Sequence, residues 1–246
     1  MTKKGSETKK EKLINFTRGE LILWISSLLA ITISFLIFDR SGWLSLIASL
    51  IGATSLIFCA KGDPIGQALI ILFSLIYGYI SWTFAYYGEM ITYAGMTLPM
   101  AIFALISWIR HPYKKNSREV AVCKVRPKDI LLVTGLAAIV TLVFYFILKY
   151  FNTANLYVST LSVTTSFIAV YLTFRRSPYY AIAYAVNDIV LIILWAFATL
   201  RDPSYISVLV CFITFLFNDL YGFINWKRIE KRQLLETDLQ KESELS

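Results

Sequence analysis

Eight apolar runs, at 20–38, 43–60, 65–87, 91–109, 129–149, 157–174, 179–200 and 205–226, divide this 246-residue chain. A hydrocarbon core of about 30 Å needs roughly 20 apolar residues of α-helix to cross it. Within lipid every backbone amide must be satisfied inside the segment, so such runs form helices. Every lysine and arginine lies outside the runs or at a boundary. The chain is therefore read as an all-α polytopic membrane protein with eight transmembrane helices. A composition of 57% hydrophobic and 16% charged residues excludes disorder and an ordinary soluble domain. Three cysteines exclude a disulfide scaffold.

The 24 cations follow topology. With the N-terminus in the cytoplasm, 21 of them fall on cytoplasmic segments, against only Arg40, Lys149 and Arg201 on the other face. Short loops obey this positive-inside bias. The formal charge of +8 thus reports orientation in a cell membrane, with both termini cytoplasmic, and gives no reason to invoke nucleic acid. The first run follows a basic segment, as a signal peptide would. It is longer than a signal core, and Phe38-Asp39-Arg40 offers no small-residue cleavage site, so it is read as a retained helix. The basic segment 1–19 and the tail 227–246 flank the spans. The tail is either a solvated charged extension or a continuation of the last helix.

The spans have a rhythm. Runs 2–4 (43–109) and runs 6–8 (157–226) are triplets with short joints, separated by a basic cytoplasmic loop (110–128) and a lone linker helix (129–149). Each triplet has a cationic, proline-containing turn between its first two helices, Lys61–Pro64 and Arg175–Pro178. Each ends in a tryptophan near the cytoplasm, Trp108 and Trp226, and Trp82 and Trp195 lie toward the far end of the middle helices. The pattern predicts a 3+1+3 core of two parallel triple-helix repeats, the construction used in SWEET proteins. The first helix (20–38) falls outside the repeat and is expected at the periphery.

Acidic residues inside the spans are confined to Asp188 and Asp219, each preceded by an asparagine, Asn187 and Asn218. An ionisable group at this depth costs about 2.5–3.5 kcal/mol and ordinarily faces a cavity or a partner. Steps of three and four residues extend Asn187 and Asp188 into a stripe with Tyr184, Leu191 and Trp195, and Asn218 into one with Tyr221. Run 3 offers Gln67, Ser74, Tyr77 and Trp82 opposite. Amides and carboxylates between aromatic walls suit a planar, polar small molecule. Interhelical hydrogen bonding that merely joins the last two helices is the plainer reading. Trp24, Trp43, Trp108 and Trp226 read as an interfacial aromatic belt.

The run Phe217-Asn218-Asp219-Leu220-Tyr221-Gly222-Phe223-Ile224-Asn225-Trp226 resembles the last helix of the PnuC family of nicotinamide riboside transporters. Pro178 to Trp195, with Asn187 at its centre, is similar to that family's preceding helix. Tyr86-Tyr87-Gly88-Glu89, followed by Pro99 and Trp108, is similar to a segment of the first triplet. The resemblance covers about residues 43–230. It implies a full-length SWEET-like core and facilitated diffusion of nicotinamide riboside, which a cytoplasmic riboside kinase would trap for NAD synthesis. It also implies a homotrimer, and ligand contacts from Asn187, Trp195, Asn218 and Tyr221. Where many relatives carry Trp-x-x-Trp before the helix 7 asparagine, this chain has Tyr180 and Tyr184. Thiamine or riboflavin therefore stand as alternative substrates.

Nicotinamide riboside joins a pyridinium ring to a carboxamide and ribose hydroxyls. Trp195, Tyr184 or Trp82 would take the ring, Asn187 and Asn218 the carboxamide or ribose, and Asp188 the charge. With no cation at depth, a phosphate would be unmet. Asp188 or Asp219 as a proton site is the alternative to uncoupled diffusion. An enzyme is not expected: His111 is the sole histidine and sits in a loop, and no Ser–His, His-Glu-x-x-His or paired-cysteine motif calls for a metal or cofactor. A non-transporting scaffold is the remaining alternative.

Overall fold

The structure, a computed structural model, describes residues 16–83, 87–115 and 117–245. Most of the basic segment 1–19, and Tyr86 of the family-like run, lie outside the described residues. Among the described residues eight helices are long and apolar enough to cross a membrane: α1 (Arg18–Phe38), α2 (Trp43–Ala60), α3 (Ile65–Thr83), α4 (Tyr87–Arg110), α5 (Pro127–Tyr150), α6 (Leu156–Phe174), α7 (Tyr179–Thr199) and α8 (Ile206–Leu245). The tail that follows Trp226 continues α8 as a charged helical extension.

Local chemistry explains the irregular points. Thr17 caps α1 by accepting from the Glu20 amide, while the Glu20 carboxylate accepts from the Thr17 amide at 2.7 Å. Glu20 also pairs with Lys61 at 2.9 Å and accepts from the Tyr221 hydroxyl at 3.1 Å, which fastens α1 to its neighbours. Within α4, Thr92–Thr97 forms a π-helical turn that ends two residues before Pro99. Proline has no N–H and its ring collides with the carbonyl four residues back. Widening the turn, so that the Leu98 amide reaches Tyr93, absorbs both defects.

Packing closes a ring. Helices α2, α3, α4, α6, α7 and α8 each touch the next, and α8 returns to α2. α1 packs on α2 and α8, and α5 packs on α6, so both sit outside the ring. The contacts between triplets are reciprocal: the first helix of each meets the last helix of the other, α2 with α8 and α6 with α4.

Hydrogen bonding at the basic end of the bundle repeats bond for bond. In the α2–α3 turn the amide of Gly62 (φ +67°) reaches the Cys59 carbonyl at 2.9 Å and that of Asp63 reaches Phe58 at 3.0 Å. In the α6–α7 turn the amide of Arg176 (φ +57°) reaches Thr173 at 2.9 Å and that of Ser177 reaches Leu172 at 3.0 Å. Glycine takes the left-handed position freely, whereas arginine there carries a steric cost. Each turn is then capped from the opposite triplet. Trp226 Nε1 donates to the Cys59 carbonyl at 2.8 Å, and Trp108 Nε1 donates to the Thr173 carbonyl at 2.9 Å. Asn225 Nδ2 donates to Ala60 at 2.8 Å, and Ser107 Oγ donates to Phe174 at 2.9 Å. The two indoles meet with centroids 5.4 Å apart. Trp108 and Trp226 are 1% and 0% exposed, so they belong to the core and not to an interfacial belt. In a bilayer, packing and interhelical hydrogen bonds hold helices together, since lipid is as apolar as leucine. This exchange is therefore what joins the triplets at their basic end.

A strap covers it. The segment between α4 and α5 folds back through a Pro112–Val120 bridge. Its Val120 amide bonds the Gly62 carbonyl and its Cys123 amide the Arg176 carbonyl, both at 3.0 Å, so it touches both left-handed turns. Gln233 on the α8 extension holds the strap: Nε2 donates to Glu119 at 2.7 Å and to the Val120 carbonyl at 3.0 Å, and Oε1 accepts from the Val122 amide at 2.9 Å. Arg232 pairs with Glu119, Arg118 with Asp63, and Lys114 with Glu236.

Candidate functional site

At the end opposite the strap the ring is open. A vestibule of about 520 Å³ lies among the start of α4, the α5–α6 connection and the α7–α8 turn, a volume in the range of small-molecule sites. It narrows past Glu89, Thr153, Ser159, Leu194 and Trp195, which also line a chamber of about 90 Å³ deeper in the ring. The chamber takes Tyr77 from α3, Thr92, Tyr93 and Thr97 from α4, Ser162 and Ser166 from α6, Asn187 and Leu191 from α7, and Phe212 from α8. Below it the Trp108–Tyr180–Trp226 cluster fills the bundle.

The walls differ chemically. On one side Tyr77 packs against Phe73 and Tyr93, with centroids 5.0 and 4.9 Å apart. The π-helical turn of α4 carries Thr92, Tyr93 and Thr97 on this side. On the other, Asn187 is 6% exposed and its Oδ1 accepts from the hydroxyls of Thr165 at 2.8 Å and Ser162 at 3.4 Å. Two hydroxyl donors fix the amide and leave Nδ2 as its outgoing donor. Trp195 packs at a tilt against Tyr205, with centroids 5.3 Å apart, where the vestibule meets the chamber. Glu89 is the charged side chain among the described lining residues of the chamber, and no Lys, Arg or His joins it there.

Of the residues expected from the sequence, Asn187, Trp195 and Tyr77 line the chamber together. The rest do not. Asp188 is 3% exposed and its carboxyl lies against that of Asp219, with Oδ2 unpartnered. Tyr184 packs edge-on to Tyr180 in the basic-end cluster. Gln67 donates to Cys59 Sγ at 3.2 Å in the α2–α3 interface, and Ser74 bonds back to the Ile70 carbonyl at 2.8 Å. Trp82 is 59% exposed and packs on Tyr79, outside the ring. Asn218 Nδ2 donates to Ser27 of α1 at 2.8 Å and to the Thr214 carbonyl at 2.7 Å, and Tyr221 reaches Glu20 of α1. Those two side chains of α8 thus face α1, and what separates them from the doublet partners is helix geometry: neighbouring residues point about 100° apart.

Eight polar residues of the chamber are not among the site residues expected from the sequence: Glu89, Thr92, Tyr93, Thr97, Thr153, Ser159, Ser162 and Ser166. Glu89 falls between the apolar runs 65–87 and 91–109, whereas α4 starts at Tyr87 and brings it into the wall. The hydroxyl stripe Ser159, Ser162, Ser166 follows helical spacing and was visible in principle.

Residues 42–228 match the family model described as nicotinamide mononucleotide transporter. The match begins just before α2, so it takes in both triplets and α5 and omits α1. A relative from Neisseria mucosa named nicotinamide riboside transporter PnuC is 28% identical over 228 residues, 91% of this chain and 86% of its own. One of the same name from Haemophilus influenzae is 20% identical over 224 residues, 91% and 96% of the two chains. A crystal structure titled as the vitamin B3 transporter PnuC superposes with a TM-score of 0.77 at 25% identity, covering 91% of this chain and 96% of its own. With three quarters of its length in that match, the chain belongs to the nicotinamide mononucleotide transporter family and is a PnuC-type membrane transporter.

Proposed function

We propose that this transporter carries nicotinamide riboside by facilitated diffusion, and that the chamber beneath the vestibule is its substrate site. The observation that carries the proposal is the composition of that chamber: aromatic rings, a fixed amide, hydroxyls and one carboxylate, with no cation among the described lining residues. A pyridinium ring over Tyr77, Tyr93 or Trp195 gains about 0.5–2 kcal/mol from each cation–π contact. Asn187 Nδ2 and the serines of α6 meet the carboxamide and ribose. A phosphate would find no basic partner among the described residues of the chamber, so the riboside is favoured there over the mononucleotide for which the family is named.

The basic end faces the cytoplasm on the positive-inside argument, which makes the described state open to the outside. Rocking one triplet against the other would break the tryptophan exchange and the strap, and release the solute inward. There a riboside kinase would trap it for NAD synthesis. Counterflow in proteoliposomes tests this: nicotinamide riboside should exchange, while its mononucleotide, thiamine and riboflavin should not. Asn187→Ala should weaken riboside affinity about tenfold, the worth of a buried hydrogen bond. Exchange of thiamine in place of the riboside, or an unchanged Asn187→Ala variant, overturns the assignment. A proton-coupled variant of this reading has the Asp188–Asp219 contact in its favour. Collapse of uptake with an uncoupler, in vesicles free of kinase, would establish it.

A further inference from the structure

The neck between vestibule and chamber contains a carboxylate that the riboside reading leaves unassigned. Glu89 lies in the first turn of α4 and lines both spaces, so any solute passing inward meets it. No hydrogen bond or ion pair to it is made by the described residues. It lines the same chamber as Tyr77 and Tyr93, which places it beside the aromatic wall. The first turn of a helix favours a negative charge, because its free amides and the helix dipole point there. Asp188, the acidic candidate on α7, spends its contact on Asp219 and does not line the chamber.

We propose that Glu89 is the specificity residue that selects the cationic, oxidised nicotinamide ring over its neutral, reduced counterpart. The inference rests on the riboside reading of the same chamber. Nicotinamide riboside and its 1,4-dihydro form have nearly the same outline and the same hydroxyls and carboxamide. They differ in one positive charge. Aromatic walls and an amide alone separate them weakly, whereas a carboxylate at the neck is attracted to one and loses solvation for the other without return. A third probe, nicotinic acid riboside, keeps the pyridinium but adds a carboxylate, which Glu89 repels.

The experiment is equilibrium binding of the three ribosides to the full chain, purified in nanodiscs, for wild type, Glu89→Gln and Glu89→Asp. Wild type should prefer the oxidised to the reduced riboside by about 30-fold, the scale of one partly screened charge contact. Glu89→Gln should bring that ratio to within about threefold by weakening the oxidised form alone, and should relieve the rejection of nicotinic acid riboside. Glu89→Asp, which keeps the charge, should keep the preference. A wild-type ratio near one, or a ratio retained in Glu89→Gln, overturns the inference and leaves the riboside site standing. Wild-type protein that binds neither form of nicotinamide riboside overturns the riboside reading and this inference with it. Because the wild-type ratio is itself decisive, misfolding of a variant does not shelter the proposal.

Discussion

Replacing Gln233 by alanine should unfasten the strap while leaving the eight membrane helices in place. Gln233 is 6% exposed and makes three hydrogen bonds to Glu119, Val120 and Val122. Two of them are to backbone groups, and Val120 is only 1% exposed, so its carbonyl has little access to water. At about 0.5–1.5 kcal/mol per bond, with the higher end applying where a buried group is left unpaired, the loss is about 2–4 kcal/mol. That corresponds to a rise of about 30- to 1,000-fold in the population with the strap detached, at tenfold per 1.4 kcal/mol. Amide exchange reads such local openings directly. The amides of Val120, Ala121, Val122 and Cys123 are all bonded in the closed strap, to Gly62, His111, Gln233 and Arg176. In Gln233→Ala, deuterium uptake over these four residues should accelerate by at least about 30-fold, with the centre of α7 unchanged. Uptake within about threefold of wild type would refute the reasoning, since it would mean that the loop holds its place without the α8 extension.

The tryptophan exchange predicts paired effects. Trp108→Phe and Trp226→Phe each remove one indole N–H bond and part of a buried ring, and each should cost about 1–3 kcal/mol in unfolding assays, the two agreeing closely. Because the rings touch, the double variant should cost less than the sum of the single ones; strict additivity would count against a shared gate. Asn218→Ala and Tyr221→Phe should lower thermal stability by loosening α1, about 1–3 kcal/mol for the asparagine, while riboside affinity stays within about twofold. A tenfold loss of affinity in either would return those residues to the site.

The spans were legible because bilayer thickness sets them: α2 coincides with the expected 43–60, and other ends differ by a few residues, except that α8 runs past 226 to Leu245. The repeat was legible through Pro64 and Pro178 and through Trp108 and Trp226, though the reason for those residues was not. They form and cap two equivalent turns, each from the opposite triplet, a relation between distant segments that hydropathy does not encode. Facing was the hard part. Pairing Trp82 with Trp195 was off by one residue. The turns are 114 residues apart, judged by Pro64 and Pro178, so the counterpart of Trp195 is the buried Ser81. A shift of one residue is a rotation of about 100°, enough to carry Trp82 out of the ring. Adjacent residues also parted company on α8. Asn218 faces α1 and Asp219 faces Asp188, and a helix judged peripheral left Asn218 without a visible partner.

The same register shows where the two triplets have diverged, and the divergence has a chemical logic. At the basic end the halves do the same work, capping carbonyls at the end of a helix, and they do it with like groups: indole to Cys59 and Thr173, amide or hydroxyl to Ala60 and Phe174. Along α3 and α7 the counterparts of the chamber-lining residues differ: Phe73 against Asn187, Tyr77 against Leu191, Ser81 against Trp195. The first triplet brings two tyrosines, two threonines and the Glu89 carboxylate, and the second brings serines, the Asn187 amide and Trp195. A riboside is just as divided, with a flat cationic ring at one end and a hydroxyl-rich sugar at the other. Two like halves would offer it the same chemistry twice and hold it in two opposed orientations. In the proposed site two unlike halves would fix one orientation, while the symmetric exchange beneath them would let either triplet release its hold on the other in the same way.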